Sequence, residues 1–392
     1  MHSSHRAARS MRNGSEFALL GQETSPSEAM NSGDDRWAER YSRQTRFAPI
    51  GLEGQSRIGN SCVLIVGCGA LGASLAQHMV RAGVGEVRLV DRDFVEPSNL
   101  QRQMLFDEAD ALASLPKAVV AAAKLRQINS TIHIEPFVID MTAEYASKLA
   151  DGVDLILDGT DNAATRLVLN DVSYRYGIPF LYGGVAGAQG MSAMLVPGET
   201  ACLRCLVGNE EEEAGETCDT LGVISPIVEW IAAIQAAEAL KWLSGNKDAL
   251  RRTWLTANLW PYSVKESALP GPSKHCQHCG QSAEMKEFQV IETGLEVSRT
   301  AILCGRDMIQ VTLAHTLDLA VMRQLLTSRG CEVTANPYLI RAQLAGGERL
   351  VLFSDGRILV QGTQDVEHAL ALCNLYVVES FEAKGELLIE SS

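Results

Sequence analysis

No uninterrupted apolar run in these 392 residues reaches the roughly 18–20 needed to cross a bilayer. The most apolar stretch, 223–243, is broken by Ser225, Pro226, Glu229, Gln235, Glu238 and Lys241, so it reads as a core helix rather than a span. Positive charge is scarce: 34 Lys and Arg stand against 48 Asp and Glu, a net charge of −14. That field disfavours non-specific binding to nucleic acid or to an anionic membrane, while leaving room for a local basic pocket for phosphates. No internal repeat is found, which sets aside repeat architectures. No secretory leader is recognisable, so the ten cysteines point to a reducing compartment and to metal or thiol chemistry rather than to disulfides. Residues 1–35, rich in Ser, Arg, Gly and Asn, lack apolar periodicity and are expected to be a disordered extension. Their basic, serine-rich start leaves a transit peptide as an alternative to a cytoplasmic location, the expected one.

What is present suits a globular chain. Apolar residues make up 46% and charged residues 21%, enough to build one large α/β domain and a smaller one. The acidic run Glu210–Glu213 reads as a solvated loop rather than a metal site.

The most informative segment is 61–103. A buried strand at 61–66 runs into Gly67-Cys68-Gly69-Ala70-Leu71-Gly72, where an apolar-periodic helix opens and continues to about Arg81. A second strand, 86–90, ends on Asp91, 19 residues after Gly72, a spacing at which a carboxylate can accept both hydroxyls of a ribose. A lone GxGxxG is compatible with NAD, flavin, ATP or simply tight helix–strand packing. The continuation Asp93-Phe94-Val95-Glu96-Pro97-Ser98-Asn99-Leu100-Gln101-Arg102-Gln103 is more specific. A nicotinamide enzyme needs no second acid, Asn and Arg just past the ribose acid. An enzyme handling a nucleoside triphosphate, its magnesium and a departing pyrophosphate does.

Alternation of strand and helix continues with a helix at 116–128, a strand at 132–139, a helix at 142–149, a strand at 153–158, a helix from 163 to 176 and a strand at 179–182. Nearly all-apolar strands in such alternation imply a Rossmann-like, doubly wound, mostly parallel sheet covered by helices on both faces. Ligands in these folds sit beyond the carboxyl ends of the strands, where the loops at Gly67, Asp91 and Asp161 converge. Residues 183–197 read as a turn and strands leaving the parallel part. The composition shifts after Gly280, and 287–378 reads as short strands around two helices, with a hairpin at 353–358 turning on Asp355-Gly356. The expected division is therefore an extension, 1–35, an α/β domain, 36–284, and a small C-terminal α+β domain, 285–392.

Cys202-Leu203-Arg204-Cys205 and Cys276-Gln277-His278-Cys279 form two CxxC pairs. Two such turns can supply the four corners of a closed structural Zn²⁺ site, with His275 or His278 as a minor alternative ligand and a redox pair as the rival reading. Cys218 precedes the long apolar helix, in Glu216-Thr217-Cys218-Asp219-Thr220-Leu221-Gly222-Val223-Ile224-Ser225-Pro226. A helix N-terminus would favour its thiolate. Its plain reading is an unreactive loop thiol.

Together, Arg40-Tyr41-Ser42-Arg43-Gln44, the glycine turn, the run from Asp93 to Gln103, Leu115-Pro116-Lys117, Thr160-Asp161-Asn162 and the CxxC pairs resemble the ThiF/MoeB/HesA family, bacterial relatives of ubiquitin-activating enzymes. The resemblance runs from near Arg40 to about Gly280. It implies an ATP-dependent adenylyltransferase acting on the C-terminal glycine carboxylate of a ubiquitin-like sulfur carrier of the ThiS or MoaD kind, with release of pyrophosphate, in thiamine or molybdopterin synthesis. On that resemblance Gly67, Gly69 and Gly72 let the backbone approach the nucleotide and Asp91 binds ribose. Asn99, Arg102 and Lys117 hold phosphates, Asp161 holds Mg²⁺, and Arg43 reaches the γ-phosphate from a partner subunit of a homodimer. Cys218 matches a family Cys that in some members takes the activated carrier. The plainer readings are surface charges for Arg102 and Lys117, helix caps for Asp158 and Asp161, and a loop-orienting role for Asp93. Cys304-Gly305-Arg306 does not form the Cys-Arg-x-Gly loop of a rhodanese, so a separate sulfur donor is expected. Two other functions fit less well: adenylation of a peptide or of a conjugation-type modifier, and a nucleotide-binding scaffold without turnover.

Overall fold

Cys62–Val66 (β1) is apolar on both faces and buried throughout, which places it in the middle of a sheet covered on both sides. The structure, a computed structural model, describes residues 35–208, 221–280, 297–302 and 308–378. The extension up to residue 34, the acidic run 210–213, Cys218 and Cys304 lie outside these residues.

Glu86–Val90 (β2) pairs in parallel with one edge of β1, and His133–Phe137 (β3) with the far edge of β2. Leu155–Asp158 (β4) pairs in parallel with the other edge of β1, and Phe180–Ala186 (β5) with β4. The chain then reverses: Gln189–Leu195 (β6), Thr253–Leu259 (β7) and Tyr262–Ala268 (β8) add antiparallel. The eight-stranded order is β3-β2-β1-β4-β5-β6-β7-β8. The helices of this part are Asp35–Thr45 (α1), Gly51–Gly59 (α2), Ala70–Ala82 (α3), Glu108–Leu112 (α4), Lys117–Ile128 (α5), Ala143–Leu149 (α6), Ala163–Tyr176 (α7), Leu203–Val207 (α8) and Ser225–Ser244 (α9). No helix among the described residues is long and apolar enough to cross a membrane.

Alternate strand side chains feed opposite layers, as the two-residue period of a strand requires. Val63 and Ile65 join one apolar cluster with Leu75 and Met79 of α3, Leu125 of α5 and Ile231 of α9. Leu64 and Val66 join another with Ala146 of α6 and Leu169 and Val172 of α7. Each fully buried aliphatic side chain of this kind contributes about 1.5–3 kcal/mol by leaving water.

Two local details differ from the sequence expectation. Pro116 stands at the N-cap of α5 rather than in its first turn. Gly183 and Gly184 belong to β5 and pair with Ser192 and Met191 of β6, and the reversal falls at Gly187, at φ +58°. At 183 a Cβ would lie 2.4 Å from the terminal amide of Gln235 on α9, so that buried side chain would have to move to admit one.

The C-terminal part is a six-stranded antiparallel sheet in the order β11-β12-β13-β14-β10-β9. It comprises Val297–Ile302 (β9), Met308–Leu313 (β10), Glu332–Ala335 (β11), Leu339–Gln343 (β12), Arg349–Phe353 (β13) and Arg357–Gln361 (β14), with Leu319–Ser328 (α10) and Val366–Cys373 (α11). The β13–β14 hairpin turns on Asp355-Gly356, with Gly356 at φ +87°. One face of the sheet packs Ile309, Val311, Leu350 and Leu352 against Met322 and Leu326 of α10 and Ala369 and Cys373 of α11.

Candidate functional site

In the strand register Val66 lies opposite Val90 and Asp158, so Gly67, Asp91 and Gly159 leave β1, β2 and β4 at one level. Gly67 adopts φ +84°, and a Cβ there would meet the Gly159 carbonyl oxygen at 2.6 Å. At Gly72 a Cβ would stand 1.7 Å from the Gly67 carbonyl oxygen, so this glycine lets α3 close onto the turn. Gly69 is the N-cap of α3 and brings no side chain to cap the first amides, which are suited to receive an anion.

These turns form one wall of a cavity of about 890 Å³. Gly67, Gly69, Asp91, Arg92, Asp93, Arg102, Gln103, Lys117, Asp140, Asp161, Arg166 and Tyr182 all line it. Asp91 Oδ2 accepts from the Cys68 amide at 2.6 Å and Oδ1 from the Asp93 amide at 2.7 Å, which fixes the carboxylate at the end of β2. Burial pushes the Asp91 carboxyl above the usual aspartate range, against the opposing pull of Lys117. Lys117, 4% exposed, donates its amide to the Asp93 carbonyl at 2.9 Å and places Nζ 3.3 Å from Asp93 Oδ2. Arg102 is tied by Nη1 to the Ser98 carbonyl at 3.0 Å. Asp161 is exposed to the cavity, and the N-cap of α7 is its neighbour Asn162, whose Oδ1 accepts from the Thr165 amide at 2.8 Å. Cations and anions thus alternate around a cradle of backbone amides, an arrangement suited to a polyphosphate and a hard divalent cation.

The four CxxC thiols converge beside α8. Cys202 Sγ is 3.8 Å from Cys205 Sγ and 3.7 Å from Cys276 Sγ, and Cys205 Sγ is 3.7 Å from Cys279 Sγ. All four lie within 4.8 Å of one another. Four thiolates at about 2.3 Å from a tetrahedral zinc would stand about 3.8 Å apart, so the cluster fits that ion. Burial pushes the Cys202 thiol up. Burial acts the same way on Cys276, but the Cys279 and His278 amides and the Cys205 and Cys279 thiols outweigh it and bring this group down to about 7. Outer contacts hold the segments: Arg204 reaches Asp171 at 2.8 and 2.7 Å, and His278 Nδ1 lies 3.1 Å from Asp171 Oδ1. His278 therefore faces a carboxylate and is not one of the four convergent ligands.

The sequence model of the ThiF family matches residues 41–279. The chain belongs to the ThiF family. It is 40% identical over 343 residues to the sulfur carrier protein ThiS adenylyltransferase of Bacillus subtilis (strain 168), covering 86% of this chain and 99% of that protein. It is 36% identical over 263 residues to the sulfur carrier protein adenylyltransferase of Thermus thermophilus, covering 64% of this chain and 96% of that protein. In fold it is similar to E. coli MccB solved with MccA-N7isoASN, at a TM-score of 0.54 and 22% identity, covering 64% of this chain and 76% of that one. The 343 residues aligned with the B. subtilis protein exceed what 41–279 can supply, so that match reaches beyond the ThiF region.

Of the residues singled out from the sequence, this ThiF-family chain brings Gly67, Gly69, Asp91, Arg102, Lys117 and Asp161 to one cavity. Gly72 lies beneath the turn. Asn99 does not line the cavity: it is fully buried, and its Oδ1 accepts from the Glu96 amide at 3.1 Å, closing the turn that presents Arg102. Arg43 is exposed in the last turn of α1, outside the cavity of its own chain. Cys218 lies outside the described residues. Asp158 is not a helix cap. Its Oδ1 accepts from the Thr160 amide at 2.9 Å and the Thr160 hydroxyl at 2.7 Å, and its Oδ2 pairs with Arg166. Sequence reasoning missed Arg166, Gln103, Asp140 and Tyr182. Arg166 could have been found from spacing, since it falls one helical turn after Asn162 and faces the strand end carrying Asp158. Gln103, 3% exposed with Oε1 unpaired in the structure, sits inside a motif already recognised.

Proposed function

We propose that this chain is an ATP-dependent adenylyltransferase that activates the C-terminal glycine carboxylate of a small ubiquitin-like sulfur carrier protein. The observation that carries this reading is the convergence of Asp91, Arg102, Lys117 and Asp161 on one cavity in a ThiF-family chain. The names of the relatives support the carrier as substrate. ATP would lie with its ribose on Asp91 and its phosphates across the Gly67–Gly69 turn and the α3 amides. Arg102 and Lys117 would neutralise the β- and γ-phosphates. A carrier carboxylate oxygen attacks the α-phosphorus, the bond to the bridging oxygen breaks, and pyrophosphate leaves with that electron pair. The product is an acyl-adenylate open to attack by sulfur from a separate donor.

Asp161 has the hard oxygen donors to hold Mg²⁺, which when bound offsets phosphate charge. The chain's own contribution is to hold the reactants in line and to supply preorganised charge. Arg43, exposed and away from its own cavity, is assigned to the partner's site in a homodimer. Zn²⁺ at the Cys202, Cys205, Cys276 and Cys279 cluster would be structural, since four thiolates leave no open position. We place the enzyme in the cytoplasm, where its thiols stay reduced.

Carrier-dependent exchange of labelled pyrophosphate into ATP tests the reading. Exchange with a diglycine-ending carrier and none with a carrier lacking its terminal glycine is the expected result. No exchange with any such carrier, under conditions where the protein binds ATP, would overturn it.

A further inference from the structure

Phe94 lies three residues past Asp91 and is 4% exposed, yet it packs into neither core of the eight-stranded sheet. It is enclosed by Met308, Leu339, Val351, Phe353 and Leu359, all from the second face of the C-terminal sheet. Beside it Arg357, 2% exposed, donates Nη1 to the Arg92 carbonyl at 3.0 Å and Nη2 to the Val138 carbonyl at 3.5 Å. Asp355 Oδ2 holds the same guanidinium at 2.6 Å, and the Phe353 ring lies 4.4 Å from it. One buried cation from the hairpin of the C-terminal sheet thus joins the loops that follow β2 and β3. Gln310 Nε2 adds a contact at 3.3 Å to Asp140 Oδ2, whose other oxygen is held by Arg92 at 3.1 Å.

The opposite side of both loops faces the cavity through Asp91, Arg92 and Asp140. With phosphates at the ends of β1 and β4 and ribose at the end of β2, the next strand outward is β3, so the base falls over the loop that Arg357 and Gln310 grip. We propose that the C-terminal sheet is a positioning element for the base end of the nucleotide pocket, with Arg357 as its principal contact. The proposal rests on the nucleotide reading above. It gives this part of the chain a task in ATP recognition that is separate from the chemistry at the α-phosphorus. Removing the guanidinium leaves the Arg92 and Val138 carbonyls without this donor and Asp355, among the described residues, with only the Arg357 amide, and the loops lose their common anchor.

The test uses the full-length protein, with ATP and carrier varied separately in the exchange assay. Arg357→Ala is expected to raise the KM for ATP about tenfold while the KM for carrier stays unchanged and kcat falls less than about threefold. Arg357→Lys, which keeps the charge but cannot span both carbonyls, should recover part of the loss. Gln310→Leu, which leaves the Arg357 contacts in place, should raise the KM for ATP by about two- to fivefold. An Arg357→Ala protein that melts like the parent and has an unchanged KM for ATP overturns the proposal. So does an equal loss in kcat and in both KM values. Should Arg357→Ala fail to fold, Gln310→Leu decides, and an unchanged KM for ATP there is the overturning result. Failure of the nucleotide reading is seen separately, as absence of ATP binding by the parent protein.

Discussion

Arg166 Nε lies 3.1 Å from Oδ2 of Asp158, a carboxylate with no solvent exposure, at the point where β4 gives way to the cavity. The same guanidinium donates to the carbonyls of Thr160 at 2.7 Å and Gly183 at 3.0 Å and lies 5.2 Å from the Tyr182 ring. One side chain therefore fixes the ends of β4 and β5 together. Removing it strands a buried charge, so Arg166→Met should destabilise the fold by about 3–5 kcal/mol in urea titrations at neutral pH. Burial already pushes the Asp158 carboxyl above the ordinary 3.8, with Arg166 opposing that push. Where the folded state holds a proton that the unfolded chain has released, stability falls as pH rises. Arg166→Met removes the opposing charge and widens that window upward, so the variant should lose more stability than the parent as pH rises above 3.8. A pH-independent deficit would show that the pair is not electrostatic.

Asp161 and Asn162 are adjacent and should separate cleanly. Asp161→Ala removes an exposed carboxylate that caps nothing, so the melting temperature should hold while pyrophosphate exchange falls by about 10³-fold or more. Asn162→Ala removes the helix cap, costs about 1 kcal/mol of stability and should leave exchange largely intact. Exchange retained by Asp161→Ala would take that residue out of the site.

The cysteine cluster makes a different demand. Cys202 and Cys276 are 74 residues apart in sequence and 3.7 Å apart at sulfur, so a bound ion clamps distant segments. Because thiolates bind the ion and thiols do not, zinc affinity should weaken as pH falls, most steeply once Cys276, near 7 without metal, takes up its proton. Metal release by a colorimetric chelator, followed from pH 8 to pH 5.5, checks the sign. Cys205→Ser should lower both the zinc content and the melting temperature. A purified protein with a normal melting temperature and no zinc would end the structural-ion reading.

Much of this was legible in the sequence because backbone demands are local. Gly67 and Gly72 stand where no Cβ fits, and Asp91 and Asp161 follow apolar strands whose burial fixes the edge they emerge on. The two CxxC pairs met as their spacing required. The interior tasks of polar residues were not legible. Asn99 sits among charged neighbours in a phosphate-like motif, yet its side chain closes a turn, a choice made by burial alone. Asp158 looked like a cap because its true partner, Arg166, becomes its neighbour only after α7 is wound. The docking of Phe94 into the C-terminal sheet was hidden for a similar reason: residues more than two hundred positions apart share no local pattern.

Arg43 gives the last prediction. It lies on the surface of α1 and does not line its own chain's cavity, so its proposed role needs a second subunit. If each site combines Asp161 from one chain with Arg43 from the other, Arg43→Ala and Asp161→Ala homodimers are both inactive. Co-refolding equal amounts makes half of the dimers mixed. In each mixed dimer one site has both residues and the other has neither, so exchange should return to about one quarter of the parent rate. Unmixed variants at the same concentration supply the baseline. If Arg43 instead served its own chain, the two sites of a mixed dimer would each lack one residue and no activity would return. The outcome separates a shared site from a self-contained one without any structure of the dimer.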